Sequence, residues 1–214
     1  MATQIIDDTG NTPVPETRTS TPSYSWEQTI DNTTYRLTTD KSLLDLSLFN
    51  KAFAGEDVYW TGPMSEEAIK LMVDNSCVLG LYRLQPMRLE ANRNITSGGG
   101  GVAHIPEQVG FGRIITDYST VAYITDVWIN PAKQGKGLGK WMARGMREIV
   151  EGMPGLRRAV LLTMVGGRGV GFYERELGMR MADSGKDRYG FMEYVPEKRK
   201  EELRGMGTLP DETD

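Results

Sequence analysis

The chain has 214 residues, 39% of them hydrophobic and 25% charged, with a net charge of −4, one cysteine and one histidine. That is enough for one globular domain with a substantial core, and a single cysteine excludes an internal disulfide. Residues 1–33 carry five acids against one base, so the remainder is balanced and lacks the concentrated basic face of a duplex-DNA binder.

Composition narrows the chemistry further. Cys77 reads as a small core strand residue, and His104, in a glycine-rich stretch, as a loop residue. Neither supports a zinc centre or a Ser-His-Asp enzyme, so no metal is expected. No apolar run approaches the ~20 residues of a membrane span, and no membrane partner is expected. The first residues lack a basic segment followed by an apolar one, so no secretory leader is expected and a cytoplasmic or nuclear place is.

In chain order, residues 1–25 are rich in Thr, Ser, Pro and Asp. They hold too little apolar area to offset ordering and read as a disordered tail. The domain is expected over 26–196, with a charged extension over 197–214. Residues 34–40 alternate as a strand should, and 42–55 place Leu43, Leu46, Leu48, Phe49 and Phe53 near a helical period. Ser65 and two following acids open a helix over 65–76. Residues 77–85 read as a strand, 87–107 as a long glycine-rich loop, and 108–117 and 121–129 as two more strands. Residues 139–151 are amphipathic, with Trp141, Met142, Met146, Ile149 and Val150 on one face. A buried strand over 157–165, a short helix over 170–177 and a hairpin reaching residue 195 follow. The order predicts one α/β domain around a mixed sheet.

The most informative stretch is Val127–Met142, VWINPAKQGKGLGKWM. Three glycines alternate between a strand and a helix, although glycine weakens both. A helix N-terminus carries unpaired N–H groups and partial positive charge, and glycines before it let an anion approach the backbone. Gln134–Gly139 is therefore a candidate phosphate cradle. It matches neither the Walker A pattern nor the dinucleotide fingerprint, because neither lysine is followed by Ser or Thr and Lys140 stands where a third glycine should be.

In its setting the stretch resembles the central motif of the GNAT superfamily of acyl-CoA N-acyltransferases. Gln134, Gly137 and Gly139 occupy the defining positions of Q/R-x-x-G-x-G/A, and the element order agrees over roughly residues 34–195. The resemblance implies a mixed, mostly antiparallel sheet with a splayed strand pair and helices on both faces. It implies acetyl-CoA as cosubstrate, its pyrophosphate on the amides of Gln134, Gly135, Lys136, Gly137, Leu138, Gly139 and Lys140. The backbone of Val127, Trp128 and Ile129 would pair with the pantetheine arm, though those side chains also suit the core. Tyr173, within Phe172-Tyr173, resembles the family's general acid. Gly166 and Gly169 stand where relatives often have Asn and Ala, and four residues separate Tyr173 from Gly178, one more than usual.

The base is the open point. Asp126 sits inside an apolar strand, and such a carboxylate needs a partner or a function. Strict alternation puts Tyr123, Thr125 and Val127 on one face and Asp126 on the other, unless a bulge re-aims it. It is a candidate base or an ion-pair member. In relatives with a glutamate base on this strand, that residue aligns with Tyr123. Tyr59, Trp60 and Tyr123 are expected to shape the acceptor pocket. The leading expectation is transfer of an acetyl group to the amine of a small molecule or amino-acid-like acceptor, by a monomer or homodimer. A peptide acetyltransferase and a non-catalytic acyl-CoA sensor are the alternatives.

Overall fold

The computed structural model describes residues 21–56, 58, 60–87 and 103–182. Its first element was not expected. Strand β1 (Ser25–Ile30) forms an antiparallel hairpin with β2 (Thr33–Thr38), paired from Ser25↔Thr38 to Ile30↔Thr33. The two turn residues Asp31 and Asn32 have φ of 47° and 57°. Two left-handed residues match the twist of a tight hairpin, and Asp and Asn tolerate them best after glycine. Tyr24, inside the expected tail, is already held. Its N–H donates to Thr39 Oγ1 (2.9 Å), and its ring stacks on Trp26 at 5.7 Å.

The expected helix over 42–55 is broken. A 3-10 turn (Lys41–Leu43) is capped by Asp40, and α1 (Leu46–Phe53) starts afresh with Asp45 accepting from Ser47 N–H. Each aspartate offers the backbone a local bond in place of a continuous helix. Helix α2 (Glu66–Asp74) starts as expected, with Ser65 Oγ accepting from Ala68 N–H at 3.2 Å and two glutamates in its first turn.

Strands β3 (Cys77–Met87) and β4 (Ala103–Thr116) form a longer hairpin than expected, since β4 begins inside the stretch read as loop. Strand β5 (Val121–Ile129) follows, then a 3-10 turn (Pro131–Lys133), α3 (Leu138–Glu151), β6 (Arg158–Val160) and α4 (Arg168–Leu177). The sheet order is β1-β2-β3-β4-β5-β6, antiparallel except for the β5–β6 pair. This is the mixed, mostly antiparallel sheet the sequence implies. Strand β6 is only three residues long, against the expected 157–165. Leu162, Met164 and Val165 lie outside it and are exposed.

Helices cover both faces. Phe49, Phe53 and Ile69 from α1 and α2 pack with Val78, Phe111 and Trp128 of the sheet. On the other face Leu138, Met142, Met146 and Ile149 of α3 pack with Leu37, Leu79, Leu81 and Ile114. Gly145 makes that approach close, since a Cβ there would lie 2.8 Å from Leu37 Cδ2. Burying such side chains stabilises by ~1.5–3 kcal/mol each before chain entropy is counted.

The chain divides into two compact units after Gly178. In the second, Met179–Ala182 form no strand, and the rest of the expected final hairpin lies outside the described residues. The domain start expected at 26 falls one residue inside β1, and the end expected at 196 lies outside the described residues.

Candidate functional site

Two features meet at the C-terminal end of β5: a glycine loop running into α3, and a strand edge with no strand partner among the described residues. After Ile129 the chain leaves the sheet. Asn130 Oδ1 accepts from Ala132 N–H at 3.0 Å and closes the 3-10 turn, and Gln134 Nε2 donates back to Ile129 O at 3.0 Å. Gly135 and Gly137 have φ of 83° and 79°, conformations that suit glycine. Gly137 is the N-cap of α3. No side chain caps this helix and its first turn holds no acid, so nothing on α3 itself meets the positive end of its dipole.

Gly139 is different. Its φ is not in the left-handed region, and a Cβ there would meet only Ile129 Cγ1, at 4.0 Å. Neither backbone conformation nor protein packing requires glycine. In a helical turn it costs ~0.5–1 kcal/mol relative to alanine. Open space beside an uncapped helix start is what close approach of a phosphate needs. The predicted cradle residues Gln134, Gly135, Lys136, Gly137, Leu138, Gly139 and Lys140 are thus brought together in one loop and helix start. Lys136 Nζ lies 3.4 Å from Asp31 Oδ2 of the β1–β2 turn, an exposed pair of small energetic weight.

Strand β5 meets β6 only at Val121↔Arg158, Ala122↔Ala159 and Tyr123↔Val160. Beyond Tyr123 the two strands part, and the outer edge of Ile124–Ile129 has no strand partner among the described residues. The Val127 and Ile129 side chains pack toward α3, and Trp128 toward Phe111 at 5.6 Å. All three are occupied in packing, so their backbone edge is what remains for a ligand.

A bulge lies within that stretch. Arg113 of β4 pairs with Thr125, but Phe111 pairs with Trp128, so Asp126 and Val127 together oppose Gly112. Asp126 has φ of 50°. The bulge turns its side chain to the α1/α2 face, the face of Thr125 and Arg113, against strict alternation. There Asp126 Oδ2 accepts from Arg113 Nε and Nη2, each at 2.7 Å. Its Oδ1 accepts from Trp60 Nε1 at 3.0 Å and Thr125 Oγ1 at 3.3 Å. The two charged side chains are 6% and 14% exposed. Of the two roles open to Asp126, the geometry gives it the ion pair. Its lone pairs are committed, which leaves it poorly placed to collect a proton.

Arg113 was not singled out from the sequence. A cation inside the apolar run 108–117 poses the same question as Asp126 in the next strand, and asking it of both would have paired them.

Tyr173 lies on α4, half-buried, its ring edge-on to Phe172 at 5.1 Å. Helix α4 packs on α3, with Arg144 Nη2 3.4 Å from the buried Glu176. The two glycines that replace the family's Asn and Ala have local causes. Gly166 has φ of 78°, and a Cβ on Gly169 would lie 2.3 Å from Thr163 Oγ1. Tyr123 stands where β5 and β6 part, and Trp60 bonds Asp126, but Tyr59 is outside the described residues. Among the described residues no group of three or more His, Cys, Asp or Glu side chains is placed to hold a metal, and no helix is long and apolar enough to cross a membrane.

The comparisons point to one class, enzymes that transfer acyl groups. The model of the "Acetyltransferase (GNAT) family" matches residues 74–179. A Gibberella zeae protein named, without a stated substrate, as an acetyltransferase is 36% identical over 133 residues, 60% of this chain and 71% of its own. A crystal structure of a GNAT-family protein from Xanthomonas campestris pv. campestris is 25% identical with a TM-score of 0.55, over 76% of this chain and 94% of that one. The chain belongs to the GNAT acetyltransferase family and is an acyltransferase.

Proposed function

We propose that this protein transfers an acetyl group from acetyl-CoA to the primary amine of a small molecule or amino-acid-like acceptor, by direct attack on the thioester. The observation that carries the reading is the uncapped start of α3, entered through Gly135 and Gly137 in left-handed conformations and open at Gly139, beside an edge of β5 that has no strand partner among the described residues. The amides at Gln134–Lys140 hold the pyrophosphate, and glycines keep side chains out of its way. The free edge of Val127, Trp128 and Ile129 bonds the pantetheine arm as a further strand would. Bound acetyl-CoA supplies a thioester carbonyl open to attack by an amine.

The chain's own groups then divide the work. A β5 N–H near the bulge donates to the carbonyl oxygen as charge builds on it. Tyr173 gives its phenolic proton to the departing sulfur. The acceptor must arrive as a neutral amine, and an alkylammonium has a pKa near ~10.4. With Asp126 held in an ion pair, the proton leaves through water at the mouth beside Tyr123. Trp60 and Tyr123 border the acceptor side.

Thiol release with acetyl-CoA and a panel of amines, polyamines, amino acids and peptides tests this. The reading expects turnover with a small amine. Turnover with peptides alone transfers the activity to protein acceptors. A thermal shift with CoA and no thiol release from any amine makes the chain an acyl-CoA-binding sensor.

A further inference from the structure

Asp126 combines three features that rarely coincide. It is a buried carboxylate, it adopts a left-handed φ of 50°, and it occupies a bulge in the stretch of β5 whose outer edge has no strand partner among the described residues. If the chain needed only the bulge, glycine or asparagine would supply it without a charge to desolvate. If it needed only an ion pair for Arg113, a regular strand residue would serve without a left-handed backbone.

The partners resolve the choice. Arg113 fixes Oδ2 from β4, and Trp60 fixes Oδ1 from the segment between α1 and α2. One carboxylate therefore joins the bulge to the neighbouring strand and to the acceptor side of the site. We propose that Asp126 is a positioning residue. With Arg113 and Trp60 it sets the β5 bulge, and so aims the β5 amide that meets the acyl carbonyl. This rests on the reading that the free edge of β5 holds an acyl-CoA. A base at this position would act on the amine alone and leave acyl-CoA affinity untouched. A clamp on the bulge acts on the acyl end, and leaves the loop at Gln134–Lys140 alone.

The test is calorimetric titration of the full chain with CoA and with acetyl-CoA, for the wild type, Asp126→Asn and Trp60→Phe. Asparagine keeps the size and tolerance of the left-handed region but removes the charge opposite Arg113. The expected result for Asp126→Asn is a loss of about three- to tenfold in acetyl-CoA affinity, the worth of one misaimed hydrogen bond, with CoA affinity within about twofold of wild type. Trp60→Phe should shift the same ratio by a smaller factor, and it carries the test if Asp126→Asn fails to fold. An unchanged ratio in the folded variants overturns the proposal, as does an equal loss for both ligands. A wild type that binds neither ligand overturns the acyl-CoA reading itself, and the proposal with it.

Discussion

Gly139→Ala separates a ligand cradle from a turn more cleanly than any other change in the loop. In a protein that used this loop only to turn the chain, alanine would be an improvement. The position is helical, its φ is ordinary, and the new methyl would meet nothing closer than Ile129 Cγ1 at 4.0 Å. Helix propensity alone then predicts a gain of ~0.5–1 kcal/mol. For a chain of this size that is ~1–4 °C in melting temperature. If a pyrophosphate sits against these amides, the methyl instead occupies its approach. One displaced charge-assisted hydrogen bond costs ~1.5–3 kcal/mol, which is ~10–150-fold in affinity. The motif admits alanine at this place, so the methyl crowds the anion without displacing a whole bond, and the expected outcome is a variant that melts at or above the wild type and binds CoA about three- to tenfold more weakly. Calorimetric titration with CoA, with a thermal melt of the free protein as fold control, reads both numbers. A Gly139→Ala protein that melts higher and binds CoA as the wild type does would refute a close phosphate approach at Gly139.

Gly137→Ala should lose both stability and affinity, because φ of 79° costs alanine ~1–2 kcal/mol before any ligand is added, and a melt with a CoA titration shows the two losses together. Lys136→Ala should leave the melt nearly unchanged, since it breaks only the exposed contact with Asp31, and should weaken CoA less than Gly139→Ala in the same titration. Tyr82→Phe should raise the melting temperature by ~2–4 °C, because Tyr82 Oη is buried with no partner among the described residues and removing it recovers ~1 kcal/mol of desolvation. Asp117 accepts from the Ser119, Thr120 and Val121 N–H groups and the Thr120 hydroxyl, and these bonds, the hydroxyl's first, hold its carboxyl well below the usual range. A depressed pKa stabilises the fold above the unfolded value near ~3.9, and the contribution fades as pH falls below it. The gap in melting temperature between the wild type and Asp117→Asn should therefore narrow from pH 5 to pH 2, and a constant gap would refute it.

The elements that were legible are those whose signals are local. Ser65 with two acids marked the start of α2, and the apolar period of 139–151 marked α3 to within a residue. Strand β1 lacked such a signal. Its residues are mostly exposed and do not alternate, and it is held by a turn at Asp31-Asn32 and by Trp26 Nε1 donating to Glu148 Oε2 at 2.9 Å, 122 residues away. The run at 161–165 has the composition of a buried strand, yet it lies beyond the point where β5 and β6 part, so it has no ladder to join. The orientation of Asp126 was beyond the period-2 rule for a similar reason. A bulge is a property of two strands in register, and the partner of Asp126, Arg113, is on the other one.

The site's two halves differ in what they ask of the sequence. The loop and the β5 edge present backbone, which demands glycine where the chain must turn or a ligand must come close and leaves most neighbouring side chains free to serve the core. That half is readable as a motif. In the proposed reading the acceptor half presents side chains, Trp60 and Tyr123, that come from separate stretches of chain. No spacing rule links them, and the bond that holds Trp60 to β5 depends on the bulge at Asp126. In that reading acceptor choice resides in the half that carries no motif. Changes at Trp60 or Tyr123 should move specificity among amines, while changes at Gly139 should weaken every acceptor's reaction alike through the common cosubstrate. Competing two amines for limiting acetyl-CoA reads this directly. A Gly139→Ala enzyme that altered the product ratio would mean the loop reaches the acceptor, and the division of the site into two halves would fail.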